Sequence, residues 1–303
     1  MAAIVRSDHA KSLVPGLHAL FGMEYDRYDN QHERLFEKVS SDRAFEEEVL
    51  LSGFGAAPTK AEGASVTFDT AQEAWTARYS HSTVALGFSV SSEAMEDNLY
   101  EQLSTRYTKA LARSMAHTKQ VTAANIFNNA FSSSYKGGDG VSLANTAHPL
   151  VSGGTFSNTF STQVDLSETA LENAVIAVNN FVDDRGLPIA ITPRMLLIPF
   201  EQQFVAERIL KSQLRPATSD NDLNALNSMG MFSEGVEVNA FLSDTDAFFI
   251  LNNCPDSLKY FERLGVTTSN EGDFESDTMK FKSRERYSFG WSDPRGVYAS
   301  SGA

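Results

Sequence analysis

SEAMEDNLYEQLSTRYTKALARSMAHTKQVTAANIFNNAF, residues 92–131, contains no proline and no glycine. Within it Leu99, Leu103, Tyr107, Ala110, Leu111, Met115, Ala124, Phe127 and Phe131 recur largely at steps of three and four, the spacing of one face of an α-helix. Ser92 stands where a cap is needed. Glu93, Glu96 and Asp97 fall in the first turns, where the helix dipole favours negative charge. One helix over 92–131 would run about 60 Å at 1.5 Å per residue. That is far beyond the usual globular helix, so it is expected to cross most of the molecule as a spine.

The chain before this spine is thin in apolar residues. Residues 10–50 carry two short amphipathic helical patterns, Leu13, Leu17, Leu20, Phe21 and then Leu35, Phe36, Val39, followed by Phe45, Val49 and Leu50. From residue 52 the sequence turns strand-like through Val66 and Phe68. Trp75, Ala77, Tyr79 and then Val84, Leu86, Phe88, Val90 alternate. The reading is a long β-hairpin over 52–90 with too few bulky residues to stand alone. Its apolar positions are therefore expected to pack on another chain.

Beyond the spine, residues 132–164 carry only weak secondary-structure signals, a length usually reserved for function or an interface. From 165 an α/β pattern begins. Ser167 caps a helix with the stripe Leu171, Ala174, Val175, Val178 and Phe181, and Gly186 and Pro188 close it. RMLLIPF (194–200), GVEVNAFL (235–242) and AFFILN (247–252) read as strands, and EQQFVAERILKS (201–212) as a helix. LKYFERLGVTTS (258–269) reads as a strand or short helix. The segment from 277 on reads as two strands joined near Asp293-Pro294.

Composition excludes several classes. The formal net charge is −14 and the pI about 4.9, which does not suit a general nucleic-acid or anionic-membrane binder. The single cysteine, Cys254, allows no intrachain disulfide. It reads as a half-buried residue at a strand end. No signal-peptide pattern and no stretch of about 20 apolar residues is present.

One loop imitates an active site. GGDGVSLANTAHPLVSGGTFSN, residues 137–158, sets His148 between two glycine groups. A phosphate loop needs strand, then glycines, then helix, and here the glycines follow a helix with no lysine in the Walker position. The six histidines lie apart without metal-binding spacing, and no Ser sits in a G-x-S-x-G elbow. SDNDLNA (219–225) lacks the Gly and distal Glu of a calcium loop. Catalytic, cofactor-binding and metal residues are each expected to be none, so the protein is not expected to be an enzyme. The catalytic alternative is a soluble hydrolase using His148 with a nearby Ser or Asp.

AEGASVTFD and ARYSHSTVALGFSVSSEAMEDNLYEQL, leading into the spine, resemble the extended loop of tailed-bacteriophage major capsid proteins of the Hong Kong 97 type. SFGWSDPRGVYAS resembles that family's closing strands, and NTAHPLVSGGTFSN, DDRGLPIAITPRMLLIP and LRPATSDNDLNAL resemble phrases of its Mu-like major head subunit branch. The resemblance covers nearly the whole chain. It implies an α+β fold with an N-terminal arm (1–51), an extended loop (52–91), a peripheral domain with the spine helix (92–164), an axial α/β domain (165–274) and C-terminal strands returning to the peripheral domain (275–303). It implies self-assembly into hexamers and pentamers that close an icosahedral shell around double-stranded DNA, without sequence-specific binding and without a membrane. A separate scaffolding protein, a portal and a decoration protein are the further partners implied. The implied location is the virion, with assembly in the host bacterial cytoplasm. An encapsulin-like compartment is the alternative on the same fold. Some members weld subunits through a loop lysine; this loop has only Lys60 near its base, so non-covalent contacts or a decoration protein are expected to lock the shell. Trp75, Tyr79, Phe88 and His148 are the candidate subunit-interface residues.

Overall fold

The computed structural model describes residues 7–91, 93, 100–214, 222–273 and 278–303. Its central sheet runs β12-β9-β7-β8, with β7 Pro193–Ile198, β8 Gly235–Val238, β9 Phe248–Asn252 and β12 Val297–Ser300. β7 pairs parallel with β8 and antiparallel with β9. Successive side chains of a strand point to opposite faces, and here both faces are apolar. Met195, Leu197, Phe249, Leu251, Val297 and Ala299 look into one core, while Leu196, Ile198, Phe248, Ile250 and Tyr298 look into another. That is why RMLLI and AFFIL are continuous apolar runs rather than alternating ones.

The second core is closed by helix α4 (Glu168–Asn179), α5 (Gln203–Lys211) and α6 (Ala225–Met229). Ser167 caps α4 by accepting the Ala170 N–H at 3.2 Å, as its position in the sequence indicates. Asn224 caps α6 in the same way, so the end of SDNDLNA is a helix entry. Residues 219–221 of that polar stretch lie outside the described residues.

The spine, α3, is helical over Tyr100–Asn128, 29 residues or about 43 Å. The proposed Ser92 cap and Leu99 lie outside the described residues. The buried stripe is Ser104, Thr108, Leu111, Ala112, Met115, Ala116, Lys119, Gln120, Ala123, Ala124 and Phe127. Tyr107 and Ala110, assigned to it from spacing, are exposed. The true stripe contains polar residues that an apolar pattern cannot register. One half of α3 packs with Phe21 and Tyr25 of α1 (Ser7–Asp26), and the other sends Ala123 and Phe127 under the central sheet. The helix thereby ties the two halves of the molecule.

A second four-stranded sheet lies against α3 in the order β1-β10-β11-β4, with β1 Glu37–Ser40, β4 Ser82–Ser91, β10 Leu258–Asp273 and β11 Thr278–Trp291. β4 pairs with β11 along its length, Thr278↔Ser91 to Tyr287↔Ser82. The hairpin expected over 52–90 is therefore divided. Its first arm, β3 (Gln72–Ser80), pairs instead with β2 (Phe45–Ser52), a segment whose four-residue apolar steps suggested helix. Val66 and Phe68 lie in no strand. Of the second helical pattern, only Gln31–Leu35, α2, is helical. The closing strands separate as well. β11 stays in this sheet, while β12 crosses through a 3₁₀ turn at Pro294–Gly296 into the central one.

Charge is buried where α1, α3 and β11 meet. Lys119 Nζ stands 3.4 Å from Glu285 Oε2, and Tyr25 Oη donates to the same oxygen at 3.0 Å. Next to them His32 is buried, edge-on to Tyr260 and Phe289. Burial, reinforced by the Lys119 charge, pushes the imidazole down to about 4. An unfolded imidazole titrates near 6.5. Between these values the unfolded chain binds a proton that the folded one does not. Stability is then full above about pH 6.5 and falls by on the order of 3 kcal/mol as pH drops to about 4. Glu262 and Glu285 titrate in both proteins, so the difference between wild type and His32→Phe in urea melts isolates the imidazole. An equal slope in both would refute the assignment.

Candidate functional site

β2 reads FEEEVLLS, and its alternation is inverted for a monomer. Phe45, Val49 and Leu51 face solvent, while Glu46 and Glu48 are half-buried. The glutamates are held from within. Ser41 Oγ donates to Glu46, and Lys259 and Ser292 both bond Glu48. On β3 the pattern is the ordinary one, with Ala77 and Tyr79 inward and Arg78 outward, its guanidinium 4.0 Å over the Phe45 ring. The connecting segment 53–71 forms no strand and exposes Phe54, Val66 and Phe68, the last 92% exposed.

This segment is nevertheless anchored. Asp69 accepts the Gly55 N–H and its own neighbour's, Thr70, each at 2.8 Å, and two contacts from Arg185 Nη2 at 2.8 and 2.9 Å. The Gly55 amide and the Arg185 guanidinium hold the Asp69 carboxyl below its ordinary value. Arg185 belongs to the turn after α4, so the ribbon's tip is tied to the central half. A two-stranded ribbon with its apolar residues outward is marginal alone. Phe45, Val49 and Leu51 share one exposed strand face, and contiguous exposed apolar surface marks a protein contact.

The four residues picked from sequence do not form one site. Trp75 is half-buried, and its indole N–H finds no acceptor among the described residues. Phe88 is half-buried on β4, stacked on Phe281 with ring centres 5.1 Å apart. Tyr79 is 3% exposed, edge-on to Phe261, with its hydroxyl 2.5 Å from Ser292 Oγ. It is already buried inside its own subunit, so its side chain has no surface to give a neighbour. Gly290 makes the room, since a Cβ there would meet the Tyr79 ring at 2.7 Å.

His148 is also spent internally. Asn158 Nδ2 donates to Leu143 O at 2.7 Å and Pro294 O at 3.0 Å, which fixes its amide and turns Oδ1 to the Asn145 N–H and to His148 Nε2 at 3.0 Å. The imidazole Nε2 therefore donates, and Nδ1 lies 2.6 Å from Asp139 Oδ2. The ring is fully buried, stacked on Phe156 at 4.9 Å. Neither nitrogen is open to accept a proton from a nucleophile, since both are engaged within the subunit. The imidazole instead pins the crossing between α3 and the central half. Gly138 takes part, because a Cβ there would lie 2.8 Å from the Thr76 carbonyl. His148→Ala leaves Asp139 and Asn158 Oδ1 buried without this partner. It should lower unfolding free energy by about 2–4 kcal/mol in urea titrations; a loss under about 1 kcal/mol would contradict the network.

Other chemistry finds no support. Cys254 is half-buried beyond β9, and burial together with Asp293 pushes its thiol up, away from a nucleophilic thiolate. Among the described residues no three His, Cys, Asp or Glu are placed to hold a metal, and no helix is long and apolar enough to cross a membrane. The cleft between α5, α6 and β8 is lined by Leu210, Leu226, Met231, Phe232, Val236 and Val238 among others, with no His, Ser or Cys.

A family model described as phage capsid protein matches residues 72–300. Among solved structures, the capsid of a native GTA particle matches with TM-score 0.54 and 12% identity, covering 89% of each chain. A virus-like particle from Pyrococcus furiosus matches at 0.51 and 13% identity, over 94% of this chain and 97% of that one. A phage-related protein from Bordetella bronchiseptica RB50 matches at 0.50 and 14% identity, over 93% and 95%. At such identities the likeness is one of fold. No curated protein matches the sequence.

Proposed function

The chain belongs to the phage capsid protein family, and from that premise we propose that its subunits form hexamers and pentamers that close an icosahedral shell around double-stranded DNA. It is a structural major capsid protein of the virion, with the Hong Kong 97-type α+β fold, and it assembles with copies of itself. The proposal goes further in giving the ribbon β2–β3 and segment 53–71 the role of reaching a neighbouring subunit. The observation that carries it is the inverted face of β2. Phe45, Val49 and Leu51 point to solvent while two glutamates are held inside, an arrangement that becomes favourable once a second chain covers it.

Non-covalent burial then locks the shell, with a scaffolding protein guiding assembly in the host cytoplasm and a portal and decoration protein as further partners. No catalytic step is part of the role. Electron microscopy of the purified protein tests the core of the proposal. Shells or capsomer rings are expected, and small uniform particles at high protein concentration would overturn it.

A further inference from the structure

β11 reads TMKFKSRERYSFGW, and its alternation separates two kinds of chemistry. Phe281, Ser283, Glu285 and Tyr287 are buried beneath α3, whereas Lys280, Lys282, Arg284 and Arg286 share the opposite face. Those four cations span about 20 Å, at about 3.4 Å per residue, on a chain whose net charge is −14. Lys280 is neutralised by Asp273, and Glu271 stands opposite it. Lys282, Arg284 and Arg286 have no carboxylate partner among the described residues, and the Arg286 Nε is buried without an acceptor. The register sets Ala85, Gly87 and Ser89 of β4 beside Arg284, Lys282 and Lys280. This face is flat and carries small residues, while the large side chains of β4, Val84, Phe88 and Val90, lie on the helix side.

We propose that this outward face of the β4–β11–β10 sheet is a phosphate-binding surface that meets the DNA backbone. The inference rests on the capsid reading and adds which face of the subunit lines the genome. Protein interfaces rely on buried aromatic or apolar anchors, which β4 and β11 do not offer here. Contacts to phosphate need only cations within reach, and a duplex presents about 12 phosphates over about 20 Å. Three unpaired cations on an acidic subunit give a weak, sequence-blind, salt-sensitive contact, suited to a genome that must enter and leave.

The test is fluorescence anisotropy of an arbitrary duplex of about 20 base pairs with the unassembled subunit. Three phosphate contacts predict that affinity falls about 40-fold between about 50 and 200 mM salt. The combined variant Lys282→Gln, Arg284→Gln, Arg286→Gln should bind more weakly and lose about 2.7 from the log–log salt slope. Neutralising Arg27, Arg194 and Arg208, which lie outside this sheet, should change the slope far less. Equal binding by wild type and the stripe variant overturns the proposal, as does no measurable wild-type binding at the lower salt. A stripe variant that binds DNA normally but forms no particles overturns it in favour of a subunit contact. Particle formation by the wild type, scored separately by microscopy, tests the capsid reading alone.

Discussion

Arg295→Met should cost the isolated subunit about 3–5 kcal/mol of unfolding free energy, the loss typical when one partner of a buried ion pair is removed. Arg295 is 2% exposed. Its Nε donates to Val182 O at 3.0 Å, Nη2 meets Asp184 at 3.0 Å and Nη1 meets Asp293 at 3.3 Å, with the guanidinium 4.6 Å over the Phe156 ring. One planar fork thus joins the turn after α4, the two-residue strand Thr155–Phe156 that pairs with His148–Pro149 and the crossing from β11 to β12. Methionine keeps much of the volume but leaves two buried carboxylates facing each other. Burial already pushes the Asp293 carboxyl up, with Arg295 opposing that rise. Without the arginine it rises further. An acid raised in the folded state binds its proton there first, so the folded variant gains stability as pH falls below neutral. The gap to wild type should narrow from pH 7 toward pH 5 in urea titrations. A neutral-pH loss under about 1 kcal/mol would show that the guanidinium is replaceable by packing.

Arg295 was legible as part of a turn, not as the centre of a network. Its partners, Val182 and Asp184, lie more than a hundred residues earlier, and no periodicity connects them. The same limit explains the other differences. The spine, α4, β7 and β9 were readable because each announces itself by its own spacing or by an unbroken apolar run. Which strand β4 pairs with was not readable, since its partner β11 is nearly 200 residues away. β2 was misread as helical because Phe45, Val49 and Leu50 fit steps of four. The competing period of two was hidden by three successive glutamates, two of which turn inward onto Ser41, Lys259 and Ser292. Tyr79 looked free for a neighbour because Phe261, Gly290 and Ser292 reach it only in the folded chain. For the candidate surface, the segment and its poverty of core residues were visible in sequence. Which side chains face outward depended on that long-range pairing.

Phe54→Asp combined with Phe68→Asp should abolish particle formation while leaving the subunit folded. Both rings are largely exposed in the single chain, so their loss removes little intrachain burial, and surface changes of this kind usually shift stability by under about 0.5 kcal/mol. At a subunit contact the same change is severe. The gain from burying two phenylalanines, about 1.5–3 kcal/mol each, is lost. Two carboxylates must then be desolvated without cations to meet them, at several kcal/mol more. The defect repeats at every copy of the contact, and a closed shell needs all of them. Phe68→Leu, which keeps an apolar side chain, should still assemble. The readouts are circular dichroism and melting for the subunit, and size-exclusion chromatography with microscopy for the particles. Normal shells from the double aspartate variant would remove segment 53–71 from the contact and leave the outward face of β2 as its remaining candidate. Loss of folding would show instead that this segment, held through Asp69 to Arg185, serves the subunit's own stability.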